Sequence, residues 1–152
     1  MTDTIRKRCL DALKARLEDS GLFTWGVDPS VNFGKVVYKK AELPAISIFA
    51  RTETTSRTDY GTDSNALTID VGAVMLIPRV DGDGAKVDVF NLSELTRGEL
   101  IHAAVTTNFG DLVNKFEYTG SDVEYPEDED QALVVNITFL LEYETAYNNP
   151  YE

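Results

Sequence analysis

Between Ala132 and Tyr143 apolar and polar residues alternate with a period of two, and no other stretch restricts the fold as strongly. Leu133, Val135, Ile137, Phe139, Leu141 and Tyr143 share one parity, whereas Asn136, Thr138 and Glu142 take the other. Successive side chains of a strand point to opposite faces, so the spacing predicts a long strand with one face on the core and the other largely polar. Burying six such side chains at roughly 2 kcal/mol each contributes on the order of 10 kcal/mol, as an upper bound. The remaining segments are expected to serve this strand.

Ile5, Cys9, Ala12, Leu13 and Leu17 recur at spacings of three and four between Asp3 and Asp19, which predicts an amphipathic helix with Thr2 or Thr4 as cap and Gly21 as stop. Gly21 to Tyr38 reads as a connection with buried aromatics, Trp25 packing over the first helix, and a short strand at Val36 to Tyr38. Leu43 to Phe49 predicts a strand opened by Pro44, with Ile46 and Ile48 on one side. A second strand is expected from Ala66 to Ile77, where the shared parity of Leu67, Ile69 and Val71 breaks after Gly72, a sign of a bulge or of burial on both faces. Between these strands, Arg51 to Asn65 is rich in Thr, Ser and Asp and reads as a long β-hairpin arm. Asp81-Gly82-Asp83-Gly84 reads as a plain turn: a calcium loop of the EF-hand type would need a glutamate where Leu92 stands.

Asn91, with Glu94 three residues later, reads as a capping box opening a second helix whose apolar stripe is Leu92, Leu95, Ile101, Ala104 and Val105. Leu112 to Tyr118 predicts a third strand, and residues 119–131 a polar loop carrying Asp122, Glu124, Glu127, Asp128, Glu129 and Asp130 around Pro126. Glu144 to Glu152 is expected to be a short tail, mobile or docked on a neighbour. The fold class is therefore α+β, a single domain over residues 1–152 with a mixed or antiparallel sheet and two helices packed on one face.

Charge narrows the function classes. With 26 acidic and 14 basic residues the formal charge is −12, which weighs against neutralising phosphates and predicts repulsion between identical copies until a template, a cation or a partner surface offsets it. Cys9 is the only cysteine, so no intramolecular disulfide forms, and a small core residue is expected there. The start of the chain has helical spacing without a continuous apolar run, so neither a signal peptide nor a membrane span is expected. His102 is the only histidine. It has no nucleophile motif beside it, and there is no Gly-rich phosphate cradle, so the expectation is no enzyme, no cofactor, no metal site and no catalytic residue.

This order of elements resembles the tail terminator proteins (minor tail protein U-like) of long-tailed bacteriophages over almost the whole chain. The likeness is carried by the amphipathic start Ile5 to Leu17, by Glu42-Leu43-Pro44-Ala45-Ile46-Ser47-Ile48-Phe49, by the helix Leu92 to Val105 and by Leu133-Val134-Val135-Asn136-Ile137-Thr138-Phe139. Related tail-completion, head–tail connector and tail-tube proteins share the pattern.

The resemblance implies a virion protein assembled in the host cytoplasm into a homohexameric ring. The ring ends growth of the tail tube and offers the head–tail joining surface. Implied partners are copies of itself, the tail tube protein and a head–tail connector or neck protein, with DNA passing through the channel without specific binding and with no membrane. On this resemblance, Arg51, Arg57, Asp59 and Tyr60 of the arm are the candidate contacts to a neighbouring subunit or ring. Asp122, Glu124, Glu127, Asp128, Glu129 and Asp130 are the candidate lumen or rim segment. An acidic DNA-mimicking inhibitor is the alternative from another class, although its carboxylates would be expected on strand and helix faces.

Overall fold

The computed structural model describes residues 3–19, 29–76, 89–126 and 132–152. Helix α1 spans Ile5–Glu18, strand β1 Ser30–Phe33, β2 Ala45–Arg57, β3 Thr62–Met75, helix α2 Val89–Val105, β4 Lys115–Glu124 and β5 Leu133–Ala146. The strands form one mixed sheet in the order β1-β2-β3-β5-β4, in which only the β1/β2 pair is parallel.

β5 is flanked on both sides, by β3 and by β4, and its alternation is reproduced residue by residue. Leu133, Val135, Ile137, Phe139 and Leu141 are fully buried and Tyr143 nearly so. Their face continues through Leu67, Ile69, Val71 and Ala73 of β3 and through Ile46 and Ile48 of β2. Both helices cover this face: Cys9, Leu13 and Leu17 of α1 and Leu100, Ala103 and Ala104 of α2 join the strand residues in a single hydrophobic cluster. Phe116 of β4 stacks on Phe139 at 5.0 Å between ring centroids and closes that side.

α1 begins where Thr4 accepts a hydrogen bond from the Lys7 amide on its hydroxyl oxygen, one of the two caps expected. It ends at Asp19; the expected stop at Gly21 and the packing of Trp25 lie outside the described residues. β2 and β3 form the expected hairpin, and the irregularity expected after Gly72 is instead in β2, where Arg51 and Thr52 both oppose Thr68. Burial on both faces occurs at the start of β2, because the segment after β1 folds over it. Ser47 Oγ donates to the Lys35 carbonyl and shares a very short hydrogen bond with the Tyr38 hydroxyl.

Five further expectations are corrected. The short strand is Ser30–Phe33, not Val36 to Tyr38; Val36 and Val37 are exposed, and Val31 supplies the buried side chain that pairs with β2. Asn91 does not cap α2, since the helix already includes Val89. Its buried stripe is Ser93, Thr96, Leu100, Ala103 and Ala104, with Leu95 and Val105 exposed. Ser93 and Thr96 are buried without penalty because the Ser93 hydroxyl donates to the Phe90 carbonyl and that of Thr96 reaches the Met75 sulfur.

The expected loop 119–131 is strand as far as Glu124, because the second ladder of β5 needs a partner for its backbone groups and β4 supplies it through Val134. The tail likewise is no free end. Glu144 to Ala146 prolong β5, and the chain then turns so that the Pro150 carbonyl accepts from the Ile5 amide at 3.0 Å.

Candidate assembly interface

The residues singled out in the arm do not form one cluster. The hairpin turns at Thr58 to Gly61, where Gly61 takes φ +76, a value that favours glycine, and the Thr58 amide donates to the Thr62 carbonyl at 2.9 Å. β3 remains paired with β5 as far as Thr62, so the hairpin continues the sheet and does not project alone. Asp59 and Tyr60 sit at the tip, and Tyr60 is 92% exposed.

Arg57 and Arg51 point to opposite faces. Arg57 pairs across the ladder with Asp63 on the helix side, 4.0 Å from its carboxylate, and its guanidinium lies 3.2 Å from the centroid of the Tyr147 ring. The Asn148 amide donates to the Asp63 carboxylate and the Tyr147 amide to the Gly61 carbonyl, so the C-terminal turn fastens the hairpin tip. Arg51 is instead on the face without helices, its Nε 2.9 Å from Asp70 Oδ2 and its guanidinium over the Phe49 ring at 4.7 Å. Asp70 Oδ1 accepts from the Thr138 hydroxyl at 2.8 Å, which orients the carboxylate toward Arg51.

Asp122 and Glu124 are exposed on β4, opposite Asn136 and Val134 of β5, and therefore on the same helix-free face as Arg51. Glu127, Asp128, Glu129 and Asp130 lie outside the described residues.

The feature that residue-by-residue reading of the sequence misses is the pair of open sheet edges. β1 ends at Phe33, and Gly34, with φ +64, donates the last bond of that side to the Ile48 carbonyl at 2.9 Å. From Phe49 to Arg57 the outer edge of β2 has no partner strand among the described residues. The outer edge of β4 is equally without one. Among the described residues each edge therefore presents a row of backbone donors and acceptors without a strand partner, a template for another strand. The only sequence signal for the first is the run of Thr and Ser at 52–56, which is polar on both parities.

Where β1 stops, a pocket of about 440 Å³ opens at the head of the β2 edge, between α1 and the strands. Leu10, Phe33, Ile48 and Ala50 give it an apolar floor, and Arg6, Lys7 and Asp11 its rim. Lys7 is held by Asp11 at 2.8 Å and by Asp3 at 3.3 Å, and these two bonds raise its pKa. Arg6 reaches Glu53 at 3.5 Å, and the same carboxylate takes a very short hydrogen bond from the Tyr143 hydroxyl. Burial, with that bond to Glu53, pushes the Tyr143 phenol far above its ordinary value.

His102 is exposed on α2. Among the described residues no group of three or more His, Cys, Asp or Glu side chains is arranged to hold a metal ion, and no helix is long and apolar enough to cross a membrane. Compared with models of protein families and with curated proteins, the sequence matches none.

Proposed function

We propose that the chain is a tail terminator of a long-tailed bacteriophage, a structural protein that closes into a hexameric ring on the end of the tail tube, halts its growth and presents the surface on which the head docks. The observation that carries the reading is the sheet's two open edges. β2 and β4 run in opposite directions within one sheet, so a second copy set alongside in the same orientation, its helices on the same side and its strands running the same way, brings its β4 antiparallel to the first copy's β2. Two different surfaces then meet, a head-to-tail contact, and such contacts close into rings when the rotation per copy permits.

Charge agrees with that pairing. On the open β2 edge Arg51 and Arg57 outnumber Glu53, while β4 carries Glu117, Asp122 and Glu124 against Lys115 alone. The formal charge of −12 per copy keeps free copies apart and gives the channel of a ring a field that repels DNA phosphates, so that DNA passes without sticking. In this reading Tyr60 and Asp59 at the hairpin tip face the adjoining ring of the tube, and Glu127 to Asp130 the rim.

The test is loss of the gene in the phage or prophage that carries it, with the lysate viewed by negative-stain electron microscopy. Overlong tubes of irregular length without heads are expected. Tails of normal length left unjoined would replace the terminator by a joining protein, and intact particles would remove the tail reading altogether.

A further inference from the structure

Tyr125 follows the last residue of β4 and is 51% exposed. It shares the parity of Val123, which packs against the core from the helix side. We infer that Tyr125 of one copy seats in the pocket at the head of the next copy's β2 edge, and so acts as the anchor of the contact between copies. The inference rests on the ring reading above and names the side chain and the seat on which that reading depends.

Direction, face and charge each lead there. Because β4 and β2 are antiparallel, the end of a neighbour's β4 arrives at the beginning of the open β2 edge, next to Ala50, where β1 has stopped. Pairing over the ten residues of β4 lays Lys115 beside the hairpin tip and Tyr125 beside the pocket. The pocket is on the helix side of the sheet, walled by α1, and this is the side that the parity of Tyr125 selects. A volume of about 440 Å³ with an apolar floor is ample for an aromatic ring, and Arg6, Lys7 and Asp11 at the rim are placed to meet a phenol hydroxyl. On the opposite face the same register brings Asp122 and Glu124 toward Arg51, opposite charges on one surface.

The same seat explains two exposures within a single chain. Phe33 lines the pocket yet is 45% exposed, with Lys14 over its ring at 5.4 Å. An aromatic residue from the next copy would cover it. Buried aromatic anchors in the middle of such contacts carry a large share of the association energy.

The test is sedimentation of the full chain and its Tyr125→Ala and Tyr125→Phe variants over a range of concentrations, at salt sufficient to screen the net charge. It is joined by disulfide trapping between copies carrying Tyr125→Cys and copies carrying Phe33→Cys. Tyr125→Ala is expected to weaken association about thirtyfold, Tyr125→Phe to restore it to near the native level, and the cysteine pair to join copies covalently. Circular dichroism of the monomer should be unchanged, since Tyr125 lies outside the core. If Tyr125→Ala assembles like the native chain, or if an assembled mixture forms no cross-link, the anchor is wrong while edge pairing stands. A native chain that remains monomeric throughout would overturn both.

Discussion

Gly72 and Asn136 face each other across the β3/β5 ladder, and the Asn136 Oδ1 lies 2.6 Å from the place a Cβ on residue 72 would occupy. The backbone there is ordinary strand, and what an added Cβ meets is the end of a flexible side chain, which can swing aside. Alanine in a strand ordinarily gains about 0.5–1 kcal/mol over glycine. Gly72→Ala should gain less than that in the native chain, because the amide must move, and the full amount beside Asn136→Ala. Urea unfolding of the four chains in the cycle measures the coupling. A Gly72→Ala gain that is the same with and without the Asn136 side chain would contradict the close approach.

Phe139 and Leu140 are adjacent in sequence and opposite in consequence. Phe139 is fully buried, stacked on Phe116 and edge-on to Tyr118 at 6.4 Å, whereas Leu140 points to the helix-free face and is only half-buried. Phe139→Ala should cost about 3–5 kcal/mol and Leu140→Ala about 1 kcal/mol. Equal losses, by thermal or urea unfolding, would mean that the second face is also covered in the isolated chain.

That contrast was legible in the sequence because β5 obeys a single period along its whole length. α1 was legible for the same reason at helical spacing, and the β2/β3 hairpin because Pro44 and Gly61 punctuate it. β4 was legible only as far as Tyr118, because the extra residue Thr119 between Tyr118 and Gly120 shifts its parity in mid-strand, so Phe116 and Val123 do not fall on one alternating series. α2 misled because two hydroxyl side chains are buried by local bonds while Leu95 is left outside. β1 gave no local sign, being four residues long and held by a parallel partner fifteen positions later. Of the candidate interface, the acidic and basic side chains were visible as residues, but an unpaired edge exists only once the sheet order is known.

Cys9 offers a test of the core that is read by pH. Burial pushes its thiol from an ordinary value of 9.0 up to about 11. A group whose pKa is raised by folding contributes stability that is complete below its unfolded pKa and is lost as pH climbs through the folded one. The native chain should therefore lose stability between pH 9.0 and about 11, and Cys9→Ala should lose less over that interval, the remainder starting higher as Tyr143 begins to ionise in the unfolded chain. Reaction of the thiol with a disulfide reagent at neutral pH should be slow until the chain unfolds. Rapid labelling of the folded chain would show that α1 is not seated as described.

Arg51 should matter to assembly more than to folding. Its bond to Asp70 is half-exposed, and such pairs are worth under about 1 kcal/mol. Arg51→Glu should thus shift the unfolding midpoint little, yet weaken association between copies and make it depend more steeply on added salt, because it places a carboxylate against Asp122 and Glu124 and adds to the repulsion between copies. Sedimentation at two salt concentrations checks this. Association unchanged by the reversal would remove Arg51 from the interface.

The most direct measurement of the account as a whole is the mass of the assembled particle, by native mass spectrometry of the purified chain in about 0.3 M ammonium acetate, where charges more than several Å apart are screened. Edge-to-edge closure with hexameric symmetry predicts one dominant species at six times the 16.9 kDa chain mass, with no larger series. A chain that stays at 16.9 kDa, or stops at a symmetric pair, would contradict it.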